Sequence, residues 1–140
     1  MPEPKTKKTK MSVSAFLKKA TSGEKLADCL VLVAIMKKAT GDKGTMYGPN
    51  IVGFGAYPMV YADGHTREWP TAAFSPRKPA TVIYGLRASP NYAKHLKRLG
   101  KHRVAGGCLY VKRLADVDVK VLGALITESV VARKKKHGLK

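Results

Sequence analysis

The chain is poor in acidic residues and cysteine, and it contains no long apolar run. Of its 140 residues only nine are Asp or Glu, against 27 Lys or Arg. The longest apolar segment, ADCLVLVAIM, has ten residues, about half of the roughly 20 that a membrane span needs. No apolar stretch follows the lysine-rich N-terminus, so no secretory signal is predicted. We therefore expect a cytoplasmic protein that does not associate with membranes.

The scarcity of cysteine and histidine argues against disulfides and metal centres. Cys29 and Cys108 lie 79 positions apart, and reduced thiols are expected in a chain without export features. Neither cysteine has a Cys-x-x-Cys partner, and the four histidines show no His-x-x-x-His spacing. A zinc site has almost no support from these residues, and we predict no cofactor.

Positive charge is abundant and is not confined to the chain ends. Residues 1–11 form a predicted basic disordered arm, residues 12–132 one predicted domain, and residues 133–140 a predicted basic tail. Between Met11 and Ala132 there are 18 basic and 8 acidic residues, so the net charge of this part is +10. A core this positive is expected to attract polyanions, at least non-specifically.

The apolar pattern predicts helices that flank a run of short strands. Helical spacing covers Ser12–Ala20, Glu24–Thr40 and Asn91–Leu99, and a last helix follows a cap at Asp116 or Asp118. Segments rich in β-branched and aromatic residues predict strands in NIVGFGAY, PMVYADG, REWPTAAFS, ATVIYGL and CLYVK. The first four, separated by turn residues, predict an antiparallel meander. The predicted class is therefore α+β, with helices packed on an antiparallel β-sheet.

The stretch LGKHRVAGGCLYVKRLADVD, residues 99–118, does not match known phosphate-binding loops. Gly100-Lys101 ends a predicted helix and no Ser or Thr follows the lysine, so the stretch is not a P-loop. No G-x-G-x-x-G follows a strand here. We favour a capping role for Asp116 or Asp118 over a catalytic or metal-binding carboxylate pair. For Cys108 we favour a buried apolar role over a nucleophilic one.

Basic residues cluster around the end of the third predicted helix. Such charges are favourable at a helix C-terminus and are otherwise simply solvated. They also make a candidate anion-binding face, because Lys94, Lys97 and Lys101 fall on one side at helical spacing. The anion-binding candidates are Lys94, Lys97, Arg98, Lys101 and Arg103.

A series of motifs runs in order from about Ser12 to Val131. They are Asp28-Cys29, Met36, Thr40-Gly41, Met46-Tyr47-Gly48, IVGFGAY from Ile51, Tyr61, Gly64, Trp69-Pro70, FSPRK from Phe74, Leu99-Gly100-Lys101-His102, CLYVKRLADVD from Cys108 and VL..LI..SV from Val121. This series resembles the YdhG-like family of bacterial domains of unknown function. The resemblance implies helices against an antiparallel sheet, similar in outline to frataxin-like folds, and it supplies no activity. The chain departs from the family at Tyr47, usually a tryptophan, at Ala105–Cys108, commonly Gly-Lys-Ser-Cys, and in GLRASPNY.

The matches also imply a candidate pocket with aromatic walls and a few cations, suited to a small anionic or flat ligand. Its candidate residues are Tyr47, Phe54, Trp69, Phe74, Arg77, Lys78, Tyr84, Lys101, Tyr110 and Lys112. The alternative is that the aromatic residues are core and that Arg77 and Lys78 decorate a hairpin turn. Strand alternation places Cys108, Tyr110 and Lys112 on one face, which favours a site there.

We expect a non-catalytic binding protein whose basic surface meets an anionic partner, either nucleic acid or a small anion. Contacts to nucleic acid would be largely to phosphates with little sequence preference, and no RNP aromatic pair predicts specific recognition. The alternative is a frataxin-like carrier of iron or a small ligand. Iron prefers hard oxygen ligands, of which the first two predicted helices offer only Glu24 and Asp28. No nucleophile–base pair predicts an enzyme, and the sequence leaves the oligomeric state open.

Overall fold

A computed structural model describes residues 11–138, which form an α+β fold as predicted. The helices are α1 (Val13–Ala20), α2 (Gly23–Thr40), α3 (Tyr92–Leu99) and α4 (Val119–Lys136). The strands are β1 (Thr45–Tyr47), β2 (Ile51–Phe54), β3 (Tyr57–Val60), β4 (Thr66–Trp69), β5 (Ala72–Pro76), β6 (Thr81–Tyr84), β7 (Arg103–Ala105) and β8 (Cys108–Val111). Short 3-10 helices cover Leu86–Ala88 and Leu114–Asp116. Within residues 11–138, no helix is long and apolar enough to cross a lipid bilayer.

The strands form a six-stranded sheet and a separate hairpin. The large sheet has the order β1-β2-β5-β6-β8-β7, and every neighbouring pair in it is antiparallel. Strands β3 and β4 pair with each other instead. The predicted meander is therefore wrong at this point, because the chain leaves the sheet after β2 and returns with β5. Strands β1 and β7 were not predicted from the sequence. Each has only three residues, which is too few for an alternation of apolar and polar residues to be recognised.

The helices cover one face of the large sheet and bury the apolar core. Helices α2 and α4 pack against each other and against β5, while α3 packs against α4. From the sheet, Phe54, Phe74 and Ile83 enter this core with no exposed surface. Leu122 and Leu125 of α4 are equally buried in it.

Several predicted helix ends are confirmed. The Ser12 Oγ accepts a hydrogen bond from Ala15 N at 3.3 Å, and Gly41 ends α2 in the left-handed conformation with φ +75°. Gly100 ends α3 with φ +113°, and a Cβ there would lie 2.6 Å from the backbone oxygen of Asp116. This position therefore requires glycine, both for its conformation and for its close contact.

The end of α4 differs from the predicted domain boundary. The helix continues through Lys136, so the segment 133–136 of the predicted basic tail is helical. It continues because Arg133 is anchored, donating hydrogen bonds to Thr71 O at 3.0 Å and Gly85 O at 3.1 Å. Residues 1–10 of the predicted arm and residues 139–140 lie outside the described residues.

Of the two aspartates predicted as alternative caps, Asp118 caps α4. Its Oδ1 accepts hydrogen bonds from Lys120 N at 2.9 Å and Val121 N at 3.3 Å. Loss of an N-cap of this kind costs about 1 kcal/mol. We expect Asp118→Ala to lower the free energy of unfolding by that amount in urea denaturation. Asp116→Ala is the matched control and should change stability much less; equal effects would contradict the assignment.

A polar cluster joins the start of α3 to α4. The carboxylate of Glu128 accepts hydrogen bonds from Ser89 Oγ at 2.8 Å, Asn91 Nδ2 at 3.0 Å and His95 Nε2 at 3.0 Å. The bond from His95 is the main cause that lowers the pKa of Glu128 to about 2, with Asn91 and Ser89 contributing. The ionised carboxylate thus stabilises the junction between the two helices.

This cluster predicts a specific acid sensitivity. Because the pKa of Glu128 in the folded protein lies below its usual value of 4.5, its stabilising effect is present above about pH 4.5 and is lost as the pH falls toward 2. The free energy of unfolding of Glu128→Gln should therefore decline less steeply than that of the wild type over this range. Asp116→Asn, whose carboxylate caps nothing, should follow the wild-type profile; a Glu128→Gln profile parallel to the wild type would refute the role of the cluster.

Candidate functional site

The register of three strands decides which side chains lie opposite the helices. Val82 of β6 and Arg103 of β7 both pair with Tyr110 of β8, and Tyr84 pairs with Cys108. Side chains alternate along strands, so these residues share one face while Ile83 and Leu109 enter the core on the other. Tyr84, Cys108 and Tyr110 are partly exposed there, and Arg103 is exposed.

A groove of about 330 Å³ opens on this face at the edge of the sheet. We call it the basic groove; it is lined by Pro79, Ala80, Lys101, His102, Arg103, Tyr110, Lys112 and Asp116. Two lysines and one arginine therefore share the groove with one carboxylate. Within residues 11–138, no ion pair engages Lys101, Arg103 or Lys112. Such a site favours an anion, because the anion does not have to displace a carboxylate that is already paired with the cations.

Arginine side chains contact tyrosine rings in the basic groove and next to it. The guanidinium carbon of Arg103 lies 4.2 Å from the centre of the Tyr110 ring, a cation–π contact. Next to this pair, Arg77 Nη2 donates a hydrogen bond to the Tyr84 hydroxyl at 3.3 Å. Burial raises the pKa of Tyr84, Arg77 opposes that rise, and the neighbouring Cys108 and Tyr110 add to it. The raised pKa keeps the Tyr84 hydroxyl protonated at physiological pH.

Backbone hydrogen bonds fix the turn after α3, which carries Lys101 and His102. Lys101 N donates to Asp116 O at 3.0 Å, and Asp118 N donates to Leu99 O at 2.7 Å. His102 Nδ1 lies 2.7 Å from Gly100 O, and since a carbonyl only accepts, Nδ1 carries the proton. The second ring nitrogen of His102 is thereby left available to a ligand.

The structure separates the predicted pocket residues into distinct places. Lys101, Tyr110 and Lys112 come together in the basic groove, with Tyr84 and Arg77 beside them. Tyr47, Phe54 and Phe74 are at most 1 % exposed and belong to the interior. Trp69 lies on β4 outside the large sheet, and the exposed Lys78 lies in the β5–β6 turn.

The predicted anion-binding residues are divided in the same way. Lys101 and Arg103 line the basic groove, whereas Lys94, Lys97 and Arg98 are exposed on α3 and do not line it. The prediction that Lys101 continues the helical face is wrong, because Gly100 ends α3 first. Pro79 and Ala80 were outside every predicted set, since only the fold brings the β5–β6 turn to the end of β8. His102 belongs to the predicted basic cluster at the end of α3 and was not itself an anion-binding candidate.

The carboxylates considered for iron bind an arginine instead. Asp28 Oδ2 accepts from Arg113 Nε at 2.7 Å, and Glu24 Oε2 accepts from Arg113 Nη1 at 2.6 Å. Burial tends to raise the pKa of Asp28, but Arg113 and Leu114 N outweigh it, so the pKa lies below its usual value. Among the described residues, no group of three His, Cys, Asp or Glu side chains is placed to hold a metal ion.

A second, wider cleft lies between the β3–β4 hairpin and the end of α4. It has a volume of about 630 Å³, and its lining includes Tyr57, Met59, Val60 and Arg133. The guanidinium of Arg133 covers the Tyr57 ring at 5.1 Å and also donates to Thr71 O and Gly85 O. Arg133 is thus a structural anchor, unlike the three unpaired cations of the basic groove.

Comparisons of the chain with protein-family models, with curated proteins and with solved structures gave no match. The defining feature of the site is the meeting of three cations, which form no ion pair with any described residue, with partly exposed tyrosines on the face of the sheet opposite the helices.

The two thiols should differ sharply in reactivity. Cys29 is fully buried, and burial raises its pKa to about 11, with Lys25 opposing and Asp28 adding to the rise. Cys108 is partly exposed, contrary to the prediction of a buried role, because it lies on the face that the helices leave uncovered. We expect a disulfide reagent to modify one thiol of the native protein rapidly, and Cys108→Ser to abolish that reaction.

The matched variant for this test is Cys29→Ser, which should keep the rapid reaction. Equal rates at both cysteines, or rapid reaction in Cys108→Ser, would contradict the assigned exposure. Denatured protein should show two reactive thiols and provides the calibration.

Proposed function

We propose that this protein is a non-catalytic binding domain whose basic groove contacts the phosphates of a nucleic acid. The observation that carries the proposal is the set of three cations, Lys101, Arg103 and Lys112, gathered in one groove without an ion pair to any of residues 11–138. Cations in this condition bind phosphates and release counterions from the polyanion. The net charge of +10 between Met11 and Ala132 adds a favourable long-range field.

The contrast with other charges of the chain supports this interpretation. Arg113 is engaged by two carboxylates, and Arg133 by two backbone carbonyls. Those arginines stabilise the fold, and most of their hydrogen-bonding capacity is already used within the protein. Among residues 11–138, no carboxylate forms an ion pair with the cations of the basic groove, so a phosphate does not compete with an internal anion there.

The resemblance to the YdhG-like family stays part of the proposal and rests on the motifs themselves. The alternative function, a frataxin-like carrier of iron or a small ligand, is less favoured because Arg113 engages both Glu24 and Asp28. A cytoplasmic location likewise stays a proposal. Salt dependence distinguishes these functions, because binding to a polyanion weakens steeply with salt whereas a coordinated metal is far less sensitive.

The test is fluorescence anisotropy of labelled oligonucleotides titrated with the full chain at several salt concentrations. We expect micromolar binding that weakens steeply with salt. Lys101→Gln/Arg103→Gln/Lys112→Gln should weaken binding at least tenfold and reduce the slope of log K against log salt by about 2, since each phosphate contact on a single strand contributes about 0.7. Asp116→Asn, which removes the one negative charge of the groove, should tighten binding.

The matched control removes the same number of charges elsewhere. Lys18, Lys19 and Lys38 are exposed on α1 and α2, and their replacement by Gln should weaken binding much less. Equal losses in the two triple variants would assign the binding to net charge rather than to the groove. Absence of binding at low salt would refute the proposed function outright.

A further inference from the structure

Tyr110 in the basic groove and Tyr84 beside it offer aromatic rings that phosphate binding alone does not need. Tyr110 and Tyr84 stand on neighbouring strands β8 and β6 and share the face opposite the helices. Their positions are diagonal to each other, which corresponds to about 7–8 Å between backbones. One flat ligand group cannot cover both rings at this distance, but two successive groups of a chain can reach one ring each.

Each ring is held in place by an arginine on the same face. Arg103 stacks on Tyr110 at 4.2 Å, and Arg77 donates a hydrogen bond to the Tyr84 hydroxyl at 3.3 Å. Nucleobases stack on tyrosine rings and on guanidinium planes alike. The pairs Arg103–Tyr110 and Arg77–Tyr84 therefore form two adjacent stacking positions, which we call the tyrosine platform.

Resting on the function proposed above, we infer that the partner is a single-stranded nucleic acid whose unpaired bases stack on the tyrosine platform. Lys101 and Lys112, which line the same groove as Tyr110, then contact the phosphates that flank the stacked bases. A duplex keeps its bases stacked on each other inside the helix and cannot present their faces to the rings. The platform thus selects single strands without reading sequence, because every base has a face that stacks.

The groove is also of a suitable size and polarity for a base. Its volume of about 330 Å³ is in the range of small-molecule sites. Pro79 and Ala80 contribute apolar wall, whereas charge is supplied by Lys101 and Lys112. This combination suits a planar heterocycle attached to a phosphate better than it suits a bare inorganic anion, for which rings and apolar wall provide nothing.

The decisive experiment uses three oligonucleotide probes of equal length with the full wild-type chain. They are a mixed-sequence single strand, the same strand in a duplex, and a single strand of abasic sites that keeps every phosphate but lacks bases. We expect the single strand to bind on the order of a hundredfold more tightly than the abasic strand, because the abasic strand loses two base–aromatic stacks, each worth on the order of tenfold. The duplex should bind more weakly than the single strand at equal salt.

Variants then locate the effect on the platform. Tyr110→Ala and Tyr84→Ala should each lose on the order of tenfold in affinity for the single strand and little for the abasic strand. Tyr110→Phe keeps the ring and should stay close to the wild type, so a folding defect in the alanine variant does not decide the question. Tyr61→Ala, in the β3–β4 turn and outside the lining of the basic groove, is the control.

A footprint provides an independent measurement. Cys108 pairs with Tyr84 and lies two residues from Tyr110 on the same face. Bound single strand should therefore slow alkylation of the Cys108 thiol, whereas the abasic strand should protect it less. This readout requires no mutation and reports directly on the platform.

The possible results separate the inference from the function on which it rests. Equal affinity for the single and abasic strands, together with a salt-dependent loss in the lysine and arginine triple variant, would overturn base stacking and leave phosphate binding intact. Absence of binding to all three probes at low salt would overturn both. Preference for the duplex would also overturn the inference and would assign the groove to a double-stranded partner.

Discussion

Pairing among β6, β8 and β7 is the constraint on which both the core and the basic groove depend. A shift of one residue in this register would exchange the two faces of β8. Leu109 and Val111, at 1 % and 2 % exposure, would then face away from the helices, and Tyr110 would enter the core. Burying these two side chains stabilises the fold by roughly 2 kcal/mol each. The core therefore enforces the register that displays Tyr110 beside Arg103.

Contacts between segments distant in sequence hold the ends of the sheet that form the groove. Arg113, immediately after Lys112, is fixed to Glu24 and Asp28 of α2. The β5–β6 turn is fixed to the same helix by Lys25, whose ammonium donates hydrogen bonds to the backbone oxygens of Arg77 and Lys78. Helix α2 thus fixes two walls of the groove from the opposite side of the sheet.

The few acidic residues explain why the groove cations form no ion pair with the described part of the chain. Most described carboxylates have structural partners: Glu24 and Asp28 bind Arg113, Glu128 binds His95, and Asp118 caps α4. The chain has three times as many basic as acidic residues. Because these carboxylates already have partners, many described cations are left without an internal counter-ion. At the basic groove the fold gathers three of them beside aromatic rings, which converts a general excess of charge into a local site.

The sequence by itself determined the local structure. Spacing of apolar residues predicted the four helices, and caps at Ser12, Gly41 and Asp118 lie where side-chain and backbone chemistry requires them, since these signals act within a few residues. The α+β class followed from the order of helices and strands. The sequence pattern missed three features: the short strands β1 and β7, the departure of the β3–β4 hairpin from the sheet, and the extension of α4. Each of them depends on strand pairing or hydrogen bonds between residues that are distant in the sequence.

Tertiary structure decided the membership of the site. The sequence named Lys101, Arg103, Tyr110 and Lys112 within two larger sets, but it also included Phe54 and Phe74, which are core, and Lys94 and Lys97, which stay on α3. Which of these residues join the site depends on the register of β6 with β8. These two strands are not adjacent in the sequence, because α3 and β7 lie between them. Composition determined that the chain would carry an excess of positive charge. Strand pairing between distant segments decided that part of this charge would lie beside Tyr84 and Tyr110 on one face of the sheet, because local sequence does not encode which strands pair.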